Sequence, residues 1–310
     1  MQQADPFTGA PSYLSGPRLP GAGGQAAVLD RHGQRLRALD HLVEAARQCG
    51  LGTDKELDLI RLAEDEVSLL EGAGGEWAAL GDAIRAFRTL LPIVPLEQFG
   101  FRSDSEDPFE ANTTELTRLG GGVEALAFTD KRRSVYKFFL FREGGDVGAT
   151  FAFNEGDAGL LQATAIPGSY RMLLEKLALT HAIGIPTEIV GLTPEGVLVA
   201  KQTCGRALPE KTDLSGLDPT RLIPIPSRFL RTDRDHPRLV FHGGEPWLVA
   251  DTHDRNVVAA EDGTLRIIDL VAAPLPASWL ARMPLFRDWI ERARLDPRAE
   301  ALAPVADEEL

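Results

Sequence analysis

The spacing of apolar residues changes character near residue 115 of the chain. Before that point it follows a helical period. A first stretch, roughly Leu29 to Gln48, sets Leu36, Leu39, Leu42, Val43 and Ala46 on one face and stops at Gly50. A second opens on Thr53-Asp54-Lys55-Glu56, which reads as a capping box, and continues through Leu57, Ile60, Val67 and Leu70. A third carries Trp77, Leu80, Ile84, Phe87 and Leu91 and ends at Pro92. This segment, 27–92, reads as a helical appendage burying its stripe on the domain that follows, in preference to a free docking or regulatory bundle. Ahead of it, residues 1–26 are rich in Pro, Gly and Ser and read as a disordered tail. Behind it, 93–114 contains the polar run FRSDSEDPFEANTT and reads as a linker.

From about Leu116 the pattern shortens to strands and tight turns. RLGGGVEALAFTDKRRSVYKFFLF reads as three strands with a glycine turn between the first two. A helix is expected over Ser169–Ala182. Three hairpins follow, turned at Pro194-Glu195-Gly196, at Gly243-Gly244 and at Asp262-Gly263. The expected class is α+β, with a sheet-rich lobe at 115–205, a mixed lobe at 206–296 and an acidic tail at 297–310.

Composition narrows the partners. The 310 residues hold 33 basic and 46 acidic side chains, a formal charge of -13, which argues against nucleic acid or an anionic membrane as the main partner. Cys49 and Cys204 are far apart and match no disulfide or zinc spacing. No apolar run approaches the ~20 residues of a membrane span, and the first residues lack the apolar core of a signal peptide. A cytoplasmic protein is expected.

The richest chemistry lies in VADTHDRNVVAAEDGTLRIIDL, Val249 to Leu270. Four residues separate Asp251 from Asn256 and twelve separate Asn256 from Asp269, with a hairpin between the last two. The strand ends can therefore return Asn256 and Asp269 to one place. Phosphoryl transfer needs such a set: oxygen ligands for magnesium, and a carboxylate to take the proton of the acceptor hydroxyl. The chain has only three asparagines, and one falls at the required place. Upstream, Gly120, Gly121 and Gly122 fit a loop whose backbone N–H groups approach phosphates. Lys137 follows in an apolar strand, where an unpaired ammonium would be costly. Glu175 is the expected carboxylate partner, with Glu155 as the alternative.

These residues resemble the protein-kinase-like superfamily, most closely the polyvalent protein kinase-type domains of bacterial and mobile-element proteins, over roughly Leu119 to Val271. The resemblance implies a two-lobed kinase-like fold with a reduced second lobe, binding ATP and Mg²⁺. It implies Gly120, Gly121 and Gly122 over the phosphates, Lys137 on the phosphates and Glu175 positioning Lys137. It further implies Asp251 as catalytic base, Asn256 and Asp269 on magnesium, and adenine near Lys201 and Gln202 in the connecting segment. The sequence departs from the pattern in places. Val249-Ala250 stand where His-Arg would be, Leu270-Val271 replace Phe-Gly, and fewer than 45 residues remain after Asp269. A peptide-substrate platform is therefore not expected, and the acceptor is a hydroxyl of a protein or a small molecule. The rival readings are a pseudokinase acting through the N-terminal helices and a nucleotidyl transferase using the same fold. The segment between Phe141 and Ser169 reads as an insertion, either covering the nucleotide or occupying the cleft.

Lesser candidates have simpler readings. His253 is expected to pack or hydrogen-bond rather than touch phosphate. Arg228, Arg231, Arg234 and Arg238 are interleaved with Asp233 and Asp235 and read as a solvated loop. Phe241 and Trp247 read as hairpin packing.

Overall fold

The computed structural model describes residues 22–52, 56–102, 107–110, 112–122, 124–131, 133–140, 147–156, 160–218 and 220–297. In chain order the elements are α1 (Ala22–Gln48), α2 (Glu56–Ile60), α3 (Glu64–Ala73), α4 (Gly75–Leu90), β1 (Leu116–Gly121), β2 (Ala125–Asp130) and β3 (Ser134–Phe139). Next come β4 (Ala149–Glu155), β5 (Leu161–Pro167), α5 (Tyr170–Ile183), β6 (Thr187–Leu192), β7 (Leu198–Thr203), β8 (Arg206–Ala207), β9 (Ile223–Pro224) and β10 (Leu230–Thr232). The chain continues through β11 (Arg238–His242), β12 (Glu245–Ala250), β13 (Val257–Ala259), β14 (Leu265–Ile267), β15 (Val271–Pro274), α6 (Ala277–Leu280) and α7 (Pro284–Leu295). The protein is mixed α+β, with small sheets that are antiparallel except where β10 lies parallel to β5. Its contacts divide into two compact units, Met1–Gly145 with Thr187–Cys204, and Asp146–Pro186 with Gly205–Leu310.

In the first unit, β1–β2–β3–β7–β6 form one antiparallel sheet. Its core holds Phe128, Tyr136 and Phe138 from the strands together with Val94, Leu96, Phe99, Phe101 and Phe109. The last five come from the stretch that the sequence presents as a linker, so that expectation is corrected. Phe101 packs edge-on against both Phe109 and Phe128 at 5.0 Å between ring centres, and each such burial contributes roughly 1.5–3 kcal/mol. The apolar residues of this stretch, not its charges, decide its place. Residues 103–106 and 111 of it lie outside the described residues.

The helices pack on the same unit. α1 begins at Ala22, five residues inside the expected tail, because a nucleated helix gains one hydrogen bond for each residue it adds. Its buried side comprises Val28, His32, Arg35, Leu39 and Leu42. Two of these are polar, and they face the free edge of β6: His32 Nε2 meets Thr187 O at 3.0 Å and Arg35 Nη2 donates to Ile189 O at 3.1 Å. The expected second helix is broken in two. Arg88 donates to the carbonyls of Ile60 and Leu62, which ends α2, and Glu66 Oε2 accepts from Ala63 N at 2.7 Å, which starts α3. The Thr53–Lys55 part of the expected capping box lies outside the described residues. In α4, Leu80, Ile84 and Phe87 are buried as their spacing predicts, whereas Trp77 stays exposed.

The second unit contains α5, which the sequence places with the first lobe. Ser169 caps it, its hydroxyl accepting from Met172 N at 3.3 Å. The expected insertion is a structural hairpin: β4 and β5 pair along their lengths, and β10 adds to β5. Phe151, Leu161 and Ala163 from it join Phe229, Leu248, Trp279, Phe286 and Trp289 in one core. The described part of this segment is thus held by burial; residues 141–146 and 157–159 lie outside the description. Hairpins β11–β12 and β13–β14 turn where the glycines predict, with positive φ at Gly243, Gly244 and Gly263. Among the described residues no helix is long and apolar enough to cross a membrane.

Candidate functional site

The second unit brings Asp251, Asn256 and Asp269 together at one end of the β13–β14 hairpin. β12 runs buried to Ala250, and Asp251 is the first residue beyond it. Its backbone is left-handed, φ 67°, and its N–H donates to Asp235 O at 2.8 Å. Such a backbone costs a non-glycine residue roughly 1–2 kcal/mol and turns the chain sharply out of the strand. A single 3-10 turn, Asp254–Asn256, then leads into β13.

Asn256 ties this turn together. Its Nδ2 donates to Asp251 O at 2.8 Å and to Asp251 Oδ2 at 3.1 Å. Two acceptors on that side fix the amide orientation, so Oδ1 is directed away from Asp251, and no hydrogen bond among the described residues uses it. His253 lies against the same carboxylate. Its Nδ1 accepts from Arg255 N at 3.2 Å, and its Nε2 stands 3.5 Å from Asp251 Oδ1 and 3.4 Å from Asn256 Nδ2.

Asp269 arrives by register. Val257 pairs with Ile267, and Ile268 N donates to Asn256 O at 2.9 Å, which sets Asp269 beside the start of β13. Its Oδ1 accepts from Leu270 N at 2.9 Å and faces Lys176 Nζ at 3.5 Å. Lys176 is buried on α5 with its side chain 3% exposed, and the sequence reading did not single it out. The signal was present: Lys176 shares a helical face with Leu173, Leu177 and Thr180, all buried, which is no place for an unpaired ammonium. Glu175, its neighbour on that helix and the expected partner of Lys137, accepts from Arg171 Nε at 3.0 Å.

Comparison with known proteins gives no relative. The chain matches no family model, no curated protein and no solved structure. The chemistry of the site therefore rests on its own residues.

Gly120, Gly121, Gly122 and Lys137 belong to the first unit, and Glu175 to the second. Gly120 and Gly121 end β1 and Gly122 follows it. Lys137 is buried in β3, paired in register with Ala127 and Ala200, so it does not turn to solvent. Lys201 and Gln202 lie inside β7 between β3 and β6. Lys201 sits over the Tyr136 ring at 5.4 Å, and Gln202 Nε2 donates to Thr187 Oγ1 at 3.0 Å. Their backbones belong to the sheet ladder, which moves the end of the strand to Thr203. Glu155, the alternative partner for Lys137, pairs with Arg282 at 3.3 Å in the second unit.

A magnesium ion fits the donor chemistry in one limited sense. Among the described residues no three His, Cys, Asp or Glu side chains gather as a dedicated metal cage would require. Asn256 Oδ1 and the Asp269 carboxylate offer two oxygens, which suits an ion held mainly by phosphate oxygens and water. Of the arginines, Arg228 stacks on Phe229 at 4.7 Å, and Arg238 turns inward to donate to Leu222 O. Trp247 is buried in the β11–β12 hairpin core, as expected.

Proposed function

We propose that the protein is an ATP- and magnesium-dependent phosphotransferase of kinase-like fold, transferring the γ-phosphoryl group to a hydroxyl. The observation that carries this reading is the Asn256 amide, which holds Asp251 through Nδ2 while leaving Oδ1 for a metal beside Asp269. In this reading magnesium, when bound, neutralises the phosphate charge. Asp251 orients the acceptor hydroxyl and takes its proton as the oxygen bonds to the γ-phosphorus and the bond to ADP breaks. Asn256 holds Asp251 Oδ2, and His253 stands beside Oδ1. In the first unit, the glycine turn and the buried Lys137 have the residue chemistry that phosphate binding uses.

A second reading, a pseudokinase or scaffolding module, draws on one observation. Lys176 places a cation on Asp269, the residue that would hold the metal. Calorimetry of ATP binding, with and without magnesium, separates the two on the wild type and on Asp269→Asn, which keeps the side-chain shape. Metal-dependent binding that Asp269→Asn abolishes supports the phosphotransferase, and Asp251→Asn should then lower turnover by ~10²–10⁴-fold while leaving ATP binding in place. A folded wild type that does not bind ATP at millimolar concentration refutes it.

A further inference from the structure

A cavity of about 540 Å³ opens in the second unit beside Asp251, bounded by Lys211, Asp213, His236, Arg238, His253 and Asp254. Asp251 is bracketed by this wall. His253 touches its carboxylate, and Asp251 N is bonded to Asp235 O, next to His236. Thr252 Oγ1, one residue on, donates to His236 O at 3.3 Å. We propose that this cavity is the acceptor site and that it takes a small hydroxylated molecule bearing an oxyanion, phosphate or carboxylate, gripped by Arg238. The proposal rests on the phosphotransferase reading for the role of Asp251.

Three observations lead to this ligand. The first is size: the volume falls within the ~300–1,000 Å³ of small-molecule pockets, and is matched to a small molecule rather than a folded protein surface. The second is an unmatched cation. Arg238 Nη1 donates to Leu222 O at 3.1 Å and Nε to Thr252 Oγ1 at 3.4 Å, both neutral acceptors, and no carboxylate pairs with it among the described residues. Burial beside Leu217 and Leu222 pushes its pKa down, yet a guanidinium stays charged, so an anion in the cavity would gain most from it. The two lining carboxylates do not offset it directly. Asp213 accepts from Ser215 N at 2.9 Å and Ser215 Oγ at 2.7 Å, and Asp254 Oδ2 accepts from Lys211 N at 2.5 Å.

The third is backbone strain. Four non-glycine residues among those described have positive φ, and three of them, Lys211 (60°), His236 (53°) and Asp251 (67°), stand in or next to this wall. Strained backbone of this kind concentrates where side chains must be aimed.

The test is calorimetric titration of the wild type, Arg238→Met and Lys211→Gly with inorganic phosphate, gluconate and glucose, in the absence of nucleotide. Lys211 is exposed with positive φ, so Lys211→Gly should fold even if Arg238→Met does not. The expected result is that phosphate or gluconate binds the wild type and glucose does not. Affinity should fall by roughly tenfold or more in Arg238→Met and by a few-fold in Lys211→Gly. Preference for phosphate points to a phosphorylated acceptor, and preference for gluconate to a hydroxy acid. No anion binding by a wild type that still binds magnesium-ATP overturns the acceptor site alone. Anion binding lost in the variants, by a protein that never binds ATP, supports the anion pocket and removes the phosphotransferase. Wild-type anion affinity in both variants overturns the assignment to Arg238 and this cavity.

Discussion

Asp251 carries two demands at once: a side chain that holds Asn256 and lies against His253, and a left-handed backbone that aspartate tolerates better than most residues. The two can be separated by substitution. Asp251→Gly and Asp251→Ala delete the same carboxylate, so both should lose turnover alike. Their stabilities should differ. Alanine meets the left-handed penalty of ~1–2 kcal/mol, while glycine gives back ~0.5–1 kcal/mol through its freer unfolded chain. Urea denaturation should therefore find Asp251→Gly the more stable by about 0.5–1 kcal/mol. Equal midpoints would mean that the strand end does not enforce φ at this position. The spacing of Asp251, Asn256 and Asp269 was legible in the sequence because a hairpin with a glycine turn has few registers open to it. The left-handed turn and the Lys176 contact were not, since each depends on what the rest of the unit packs against that end.

Between elements, the joint that fixes the Asp269 side of the site is the end of α5 against β14. Ile185 N donates to Ile267 O at 2.9 Å, and Gly184 lies so close that an added Cβ would stand 2.4 Å from Ile267 O and 3.0 Å from Thr180 O. Both obstacles are backbone, so neither can swing aside. Gly184→Ala should cost about 1–3 kcal/mol and weaken magnesium-dependent ATP binding, because Lys176 and Asp269 sit on the two parts it pushes apart. Gly72→Ala, in α3 with open space around it, should instead stabilise by up to ~1 kcal/mol. Thermal or urea unfolding of the pair decides it; a neutral Gly184→Ala would show that this joint gives. Elements whose signals are local were legible: most of the helical stripes, the three hairpins and the helix over Ser169–Ala182. What sequence could not show was partnership. Phe99, Phe101 and Phe109 lie among charges and glycines and look like a linker until the sheet that buries them is present. The β4–β5 hairpin was missed for the same reason, its value lying in Trp279, Phe286 and Trp289, more than a hundred residues away.

For the whole molecule, the question is whether the N-terminal helices are a separable module. Contacts within the first unit argue that they are part of its sheet. β6 is an edge strand, and an uncovered edge offers its carbonyls to other chains. His32 and Arg35 occupy the carbonyls of Thr187 and Ile189, Arg31 pairs with Glu188 at 2.6 Å, and α4 packs on both α1 and α3. Farther along the strand, Val94 N donates to Leu192 O at 2.8 Å and Leu192 N to Pro92 O at 3.0 Å, so the segment after the helices covers the rest of the edge. A chain beginning at Pro92 would keep that second cover and lose the first, while exposing the apolar sides that the helices now shield. It should aggregate or lose its cooperative thermal transition, whereas a chain beginning at Ala22 keeps every described contact and should melt with the full protein. Size-exclusion chromatography and thermal melts of the two truncations give the answer. If the Pro92 chain stays monomeric and melts cooperatively, the helices are dispensable to the fold. A role for them in recruiting a partner, and with it the pseudokinase reading, would then gain ground over catalysis. If it fails as expected, the helices are structural, and function has to be sought at Asp251 and the cavity beside it.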